Sequence, residues 1–141
     1  STLCKLAQQL LISIRAQDTV VRHGGEEFAI WLPNTDRDNA KIIANRVHNY
    51  ISQIQVADQK ITVSIGISSL TLNKYVVEGF LEQLLEQADA ALYKAKARGR
   101  NRTVCFDGLE QPKNTIKIKE GLNSTILNTS YYSPAHAPLL S

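Results

Sequence analysis

The stretch Arg22-His23-Gly24-Gly25-Glu26-Glu27-Phe28 decides the fold, because it places two glycines between two apolar runs. Thr19-Val20-Val21 precedes it and Phe28–Leu32 continues it, which is typical of two antiparallel strands joined by a tight turn. Glycine has no Cβ atom, so the backbone at such a turn can adopt positive φ and a ligand can approach closely. The sequence therefore predicts a β-hairpin over residues 19–32.

The hairpin turn carries two adjacent carboxylates, Glu26 and Glu27. Ionised carboxylates beside a glycine turn suit a hard divalent cation, and Mg²⁺ in turn commonly carries substrate phosphates. The same residues are also compatible with a surface hairpin that has a charged tip and no ligand. The rest of the chain has to decide between these interpretations.

The composition indicates one globular domain of 141 residues, with 43% hydrophobic and 21% charged residues. No apolar stretch approaches the roughly 18 residues that cross a bilayer, and no signal-peptide pattern is present. We therefore expect no membrane segment in this chain and a cytoplasmic location, with a parent protein that an upstream region could tether to a membrane.

Cys4 and Cys105 are not spaced as zinc ligands or as a disulfide framework. The net charge of +3 is too small to indicate nucleic acid as a partner.

Three amphipathic helices and two further strands accompany the hairpin. Apolar residues recur at helical spacing over residues 3–14, 40–54 and 81–95, and a short strand is predicted at 103–106. Residues 61–68 alternate strictly between apolar and small or polar side chains, so one face meets a core. The small residues opposite, Ser64 and Gly66, predict that something packs or binds closely over that face.

This element order predicts an α+β (α/β-like) fold with a mixed, largely antiparallel sheet flanked by helices. Thr35 followed by Asp38 resembles a helix-capping arrangement, and Gly99 is well placed as the residue that ends the third helix. From about Gly108 the composition becomes polar without a sustained period. We therefore expect residues 108–141 to form a polar, flexible C-terminal tail.

The segment Gly24-Gly25-Glu26-Glu27-Phe28 resembles the signature of the GGDEF family, the diguanylate cyclases. Ala88-Asp89-Ala90-Ala91-Leu92-Tyr93-Lys94-Ala95-Lys96 resembles the family's final helix, and Gly99-Arg100-Asn101 resembles the loop after it. The strand around Val63-Ser64-Ile65-Gly66 also fits. The resemblance covers roughly residues 1–107 and implies a nucleotidyl-cyclase-like GGDEF architecture for them.

The resemblance implies that two GTP molecules are condensed into cyclic di-GMP with release of pyrophosphate, in a homodimer that brings two loaded domains together. Positioning and metal-assisted charge stabilisation dominate such chemistry. Gly24 and Gly25 would let the backbone approach the nucleotide. Glu26 would bind Mg²⁺ or Mn²⁺ and is the candidate for activating the 3′-hydroxyl, and Glu27 would be the second carboxylate of the metal site.

Lys96 and Arg100 match the residues with which the family holds the β- and γ-phosphates. They belong to five basic residues between Lys94 and Arg102. By itself this cluster is equally typical of a solvated helix end, where the helix dipole favours cations, or of a weak nucleic-acid patch. Together with the hairpin it predicts phosphate binding.

Arg15 and Asp18 match the family's RxxD motif, an inhibitory site for the product cyclic di-GMP. Arginine binds guanine edges and phosphate in a bidentate manner, and aspartate accepts hydrogen bonds from guanine. Arg46 falls where the family often supplies another arginine. The plain alternative is a surface ion pair between Arg15 and Asp18, worth under about 1 kcal/mol.

In the family, a first strand with a metal-binding aspartate and a guanine-reading segment precede the helix at residues 3–14. We therefore expect a domain that is incomplete at its N-terminus and a chain that is catalytically incomplete in isolation. One alternative is a non-catalytic cyclic di-GMP receptor or regulatory fragment that uses Arg15, Asp18 and Arg46. Another is a degenerate fragment with no ligand.

Overall fold

The computed structural model describes residue 5 and residues 8–11, 14–22, 26–56, 59–72, 75–77, 79–107, 115–117 and 122–132. Two long helices are present in these ranges, α1 (Arg37–Ile51) and α2 (Phe80–Ala97). Residues 8–11 are helical too, in agreement with the predicted first helix. Within these ranges, no helix is long and apolar enough to cross a membrane.

The strands are β1 (Thr19–Arg22), β2 (Glu27–Pro33), β3 (Gln55–Val56), β4 (Gln59–Lys60), β5 (Thr62–Leu72), β6 (Tyr75–Val77), β7 (Thr103–Cys105), β8 (Thr115–Lys117) and β9 (Leu122–Tyr132). Five of them form one sheet in the order β1-β2-β9-β5-β7, and β3–β4 and β6–β8 form separate pairs. Within the large sheet only the β5–β7 pair is parallel. The predicted mixed, largely antiparallel sheet is confirmed.

The predicted hairpin is present as the antiparallel β1–β2 pair. Its register places Thr19 opposite Trp31 and Arg22 opposite Phe28. Residues 23–25 of the turn, with Gly24 and Gly25, lie outside the described residues. The hairpin therefore positions the two strands and presents Glu26 and Glu27 where the chain enters β2.

The central strand of the sheet comes from the C-terminal part of the chain. β9 pairs along its length with β5 and, on its other side, with all of β2. Residues 122–132 fall within the segment that the sequence indicated as a flexible tail, and they are structured instead. Five polar residues of β9 are buried, namely Ser124, Thr125, Asn128, Thr129 and Ser130. The neighbouring strands satisfy their backbone groups, and side chains form hydrogen bonds too, as Thr129 Oγ1 does with the carbonyl of Phe28 at 3.0 Å.

The sheet has a core on each face. On one face α1 packs over the strands with Leu10, and the T-shaped contact of Phe28 with Tyr131, 5.7 Å between ring centroids, belongs to this core. On the other face Leu84 and Ala88 of α2 pack against Ala29 and Ile126. Alternate residues of β2 and β9 thus meet different helices, as expected for an interior strand covered on both sides.

Helix α2 lies so close to the sheet that only a glycine fits beneath it. A Cβ atom on Gly66 would lie 2.3 Å from the backbone nitrogen of Leu92 and 2.4 Å from the backbone oxygen of Ala88. The predicted close approach over Ser64 and Gly66 is therefore confirmed, and the packed element is α2. This contact fixes the height of α2 above β5 and so the position of the side chains at its C-terminal end.

The start of α1 differs from the prediction by one residue, whereas the end of α2 agrees with it. Asp36, rather than the predicted Thr35, is the N-cap of α1, and its side chain accepts from the amide of Asn39 at 2.9 Å. Thr35 is instead buried and bonded within the fold. Gly99 ends α2 as predicted, with a φ of 121° that suits glycine.

Candidate functional site

The carboxylate of Glu27, in β2, and the ammonium group of Lys96, in α2, form an ion pair that connects the sheet to the helix. Lys96 Nζ lies 2.9 Å from Glu27 Oε2, and the two side chains are 25% and 32% exposed. Glu27 begins β2, and its strand alternation places it on the same face as Ala29, which packs against α2. The hairpin and the end of α2 therefore meet, as the resemblance implied.

Glu26 lies in a turn just before β2, and its side chain is partly exposed. Its carbonyl oxygen accepts a hydrogen bond from the amide of Tyr131 at 3.3 Å, which ties the hairpin tip to the end of β9. A turn conformation frees consecutive side chains from strict strand alternation, so Glu26 and Glu27 can serve one site. Two carboxylates beside a turn offer the oxygen ligands that Mg²⁺ and Mn²⁺ prefer.

A third acidic or histidine ligand does not accompany them in the described part of the chain. No group of three or more His, Cys, Asp or Glu side chains that could hold a metal ion occurs among these residues. The two glutamates therefore leave most coordination positions of a cation to water, substrate oxygens or other ligands.

The loop after α2 holds Arg100 in an unusual backbone conformation. Arg100 and Asn101 have φ angles of 62° and 48°, directly after Gly99. The amide of Arg100 donates to the carbonyl of Ala95 at 2.9 Å, and the amide of Gly99 donates to that of Lys96 at 3.3 Å, which together form a Schellman motif. Left-handed conformations at non-glycine residues are uncommon and often mark functional segments.

The loop is also anchored to the sheet. The amide of Asn101 donates to Ser64 Oγ at 3.2 Å, and the amide of Ile65 donates to the carbonyl of Arg102 at 2.9 Å. These bonds place Arg100 at the same end of the sheet as Glu26 and Glu27. The structure thus places Glu26, Glu27, Lys96 and Arg100 at one end of the sheet.

Arg15 and Asp18 bond to one another rather than standing free. The guanidinium group of Arg15 donates to both carboxylate oxygens of Asp18 at 2.8 and 3.0 Å, and its Nη2 lies 2.5 Å from Thr35 Oγ1. The hydrogen bond to Asp18 raises the pKa of Arg15. The Asp18 side chain is fully buried, so removal of Arg15 would leave a buried carboxylate without its charged partner, which is destabilising.

Arg46 lies on the exposed side of α1, opposite the face that packs on the sheet. Within the part of the chain that the structure describes, Arg46 forms no hydrogen bond or ion pair with Arg15 or Asp18. Further along α1, His48 Nε2 lies 2.9 Å from Thr103 Oγ1, and burial lowers the pKa of His48. His48 is therefore a packing residue that links α1 to β7.

Three residues that the motifs did not indicate belong to this end of the molecule. Tyr132 at the end of β9, Lys60 of β4 and Thr62 line an open cavity of about 370 Å³ with the loop at residues 99–101. On the α2 face, the side-chain amide of Asn128 donates to the carboxylate of Asp89. Sequence patterns could not find the residues from β9, because that strand has no apolar alternation typical of an isolated strand.

Comparison with known proteins agrees with this geometry. The family described as "Diguanylate cyclase, GGDEF domain" matches residues 1–102. The chain belongs to the GGDEF family.

Several curated proteins are similar to the chain over most of its length. Diguanylate cyclase DgcM of Escherichia coli (strain K12) is 36% identical over 103 residues, covering 72% of this chain and 24% of the relative. Diguanylate cyclase A of Treponema denticola is 37% identical over 92 residues, covering 62% and 24%. Response regulator PleD of Caulobacter vibrioides is 38% identical over 107 residues, covering 71% and 22%. The chain spans about a quarter of the length of these relatives.

Proposed function

We propose that the chain is part of a diguanylate cyclase, which condenses two GTP molecules into cyclic di-GMP and releases pyrophosphate. The observation that carries this proposal is the contact of Lys96 with Glu27, 2.9 Å between Nζ and Oε2, beside the loop of Arg100. A carboxylate pair and two cations within one region fit a metal-bound polyphosphate. The named relatives DgcM and diguanylate cyclase A support the same reaction.

In this proposal each residue has a distinct task. Glu26 and Glu27 would hold Mg²⁺ or Mn²⁺, which would supply charge stabilisation for the triphosphate. Glu26 also accepts the proton of the attacking 3′-hydroxyl, and Gly24 and Gly25 give the backbone clearance that the nucleotide needs.

Two cationic side chains, those of Lys96 and Arg100, bind the negatively charged triphosphate in this proposal. Lys96, which now pairs with Glu27, would bind a phosphate oxygen of the nucleotide. Arg100, in the neighbouring loop, binds a second phosphate with its planar guanidinium group.

The chain alone is proposed to bind GTP without cyclising it. Its described residues bring together only two carboxylates for the cation, and the reaction requires a second GTP-loaded domain, which a homodimer supplies. Residues 1–107 form the GGDEF unit in this proposal. If the isolated chain formed cyclic di-GMP from GTP and Mg²⁺, that result would contradict the proposal that the chain is catalytically incomplete. It would still support the assignment as a diguanylate cyclase.

Product feedback through Arg15, Asp18 and Arg46 is a separate part of the proposal. Binding of cyclic di-GMP requires that Arg15 turn from Asp18 towards the ligand, since both oxygens of that carboxylate now accept from it. Exposed Arg46 is available without such a rearrangement. Absence of any binding heat in a calorimetric titration with cyclic di-GMP would refute this part.

The variant Lys96→Met tests the phosphate role of Lys96. We expect GTP to bind about ten- to hundredfold more weakly in Mg²⁺, because a charged hydrogen bond to phosphate is lost. Isothermal titration calorimetry measures the dissociation constant. Lys94→Met is the matched control, since Lys94 lies on an exposed part of the same helix, and its affinity is expected to match the native chain. Equal losses in the two variants would contradict the assignment.

A further inference from the structure

The cavity beside the loop at residues 99–101 combines two cations with an aromatic ring. It holds about 370 Å³ and is lined by Lys60, Thr62, Gly99, Arg100, Asn101 and Tyr132. Lys60 belongs to the β3–β4 pair and Arg100 to the loop after α2, so two separate elements bring positive charge together here. No carboxylate lines this cavity among the described residues. Its chemistry therefore favours an anion.

The guanidinium group of Arg100 has an unmet hydrogen-bonding requirement. Its Nη1 atom is buried and has no hydrogen-bond partner among the described residues. A buried charged donor without an acceptor is costly, so such atoms commonly have a ligand or water as a partner. Because Arg100 lines the cavity, a change in the torsion angles of its aliphatic stem would turn the planar guanidinium group towards a ligand oxygen there.

The aromatic ring of Tyr132, the last residue of β9, contacts the same guanidinium group. The Cζ atom of Arg100 lies 5.1 Å from the centroid of the Tyr132 ring, which is within cation–π range. Tyr132 pairs with Thr62 in the β5–β9 ladder, so the position of its ring is set by the sheet. The loop of Arg100 is thereby oriented by a residue outside the part of the chain that matches the family, residues 1–102.

We propose that this cavity binds phosphate oxygens of the nucleotide's polyphosphate tail, with Lys60 as a second cation beside Arg100 and Tyr132 as the residue that positions Arg100. The inference rests on the proposed function, in which Arg100 holds a phosphate. It adds that β9 contributes to the binding site as well as to the core. Tyr132 acts through Arg100 and touches no reacting atom.

Calorimetric titration of the full chain with inorganic triphosphate tests the assignment. Tyr132→Leu is expected to weaken binding about two- to fivefold, because the cation–π contact is lost, while Tyr132→Phe keeps the ring and the native affinity. Lys60→Ala is expected to weaken binding by a factor that falls as salt is raised. Lys41→Ala removes an exposed lysine of α1 and is the control without effect.

A double variant separates positioning from a general structural role. Once Arg100→Ala has been introduced, Tyr132→Leu is expected to cause no further loss, because the ring acts through the guanidinium group. Additive losses, or native affinity in both Tyr132→Leu and Lys60→Ala, would overturn the inference. Native affinity in Arg100→Ala would instead refute the phosphate role of Arg100 in the proposed function.

One further readout does not depend on how well a Tyr132 variant folds. In the native chain, the NMR signal of the Arg100 Nε–Hε group is expected to move when triphosphate is added. An unchanged signal at saturating triphosphate would also overturn the inference.

Discussion

Gly66→Ala is expected to lower the free energy of unfolding by about 3 kcal/mol or more, an unusually large effect for one methyl group. The added Cβ would lie 2.3 Å from the backbone nitrogen of Leu92 and 2.4 Å from the backbone oxygen of Ala88. Backbone atoms within a helix cannot rotate away, so α2 must shift as a body. Urea denaturation followed by circular dichroism measures the change.

The control for this variant is Ser64→Ala, on the same face of β5. Ser64 already carries a Cβ atom, so this change removes only the hydroxyl that accepts from Asn101 and should cost about 1 kcal/mol. A displaced α2 would also move Lys96 away from Glu27, so Gly66→Ala should weaken GTP binding. Equal stabilities of the two variants would contradict the close packing of α2 on the sheet.

Removal of β9 is expected to abolish cooperative folding. A chain that ends at residue 107 loses the strand between β2 and β5 and three buried apolar side chains, Ile126, Leu127 and Tyr131. Each large apolar side chain contributes about 1.5–3 kcal/mol on burial, so the sum approaches the entire stability of a small domain. Thermal melting followed by circular dichroism should show no sigmoidal transition.

Two comparisons accompany the truncation. Leu127→Ala in the full chain should cost about 2–5 kcal/mol, because Leu127 is fully buried. A synthetic peptide of residues 115–132 should restore a cooperative transition to the shortened chain. A shortened chain that melts as the full chain does would show that β9 is dispensable for the fold.

The sequence predicted those elements whose residues carry a strong local pattern. Alternation from Ile61 to Ile67 indicated β5, the glycine pair indicated the hairpin, and Gly99 indicated the end of α2. In each case a short-range constraint, such as a side-chain period or a required positive φ, has one structural solution. Glu27 and Lys96 are 69 positions apart in the sequence, and no local pattern links them. Only the resemblance to a family assigned both residues to one site.

The sequence missed features that depend on tertiary contacts. Residues 122–132 are rich in Asn, Ser and Thr, a composition that favours a loop, and only pairing with β2 and β5 makes them a strand. Leu81 and Leu85 belong to the apolar side of the helix predicted over residues 81–95, yet each is 37% exposed and lines a surface cavity. The reason is that α2 turns Leu84 and Ala88 towards the sheet. Tyr132 could be placed beside Arg100 only once β9 was located.

The magnesium dependence of GTP binding tests the central claim most directly. Calorimetric titration of the full chain with GTP, in Mg²⁺ and in EDTA, compares the two affinities. We expect binding to be at least about tenfold tighter in Mg²⁺, since Glu26 and Glu27 share the cation with the triphosphate, and Glu26→Gln to remove that difference. Equal affinities in Mg²⁺ and EDTA, or a Glu26→Gln variant that keeps the full difference, would contradict a metal-assisted GTP site at the hairpin.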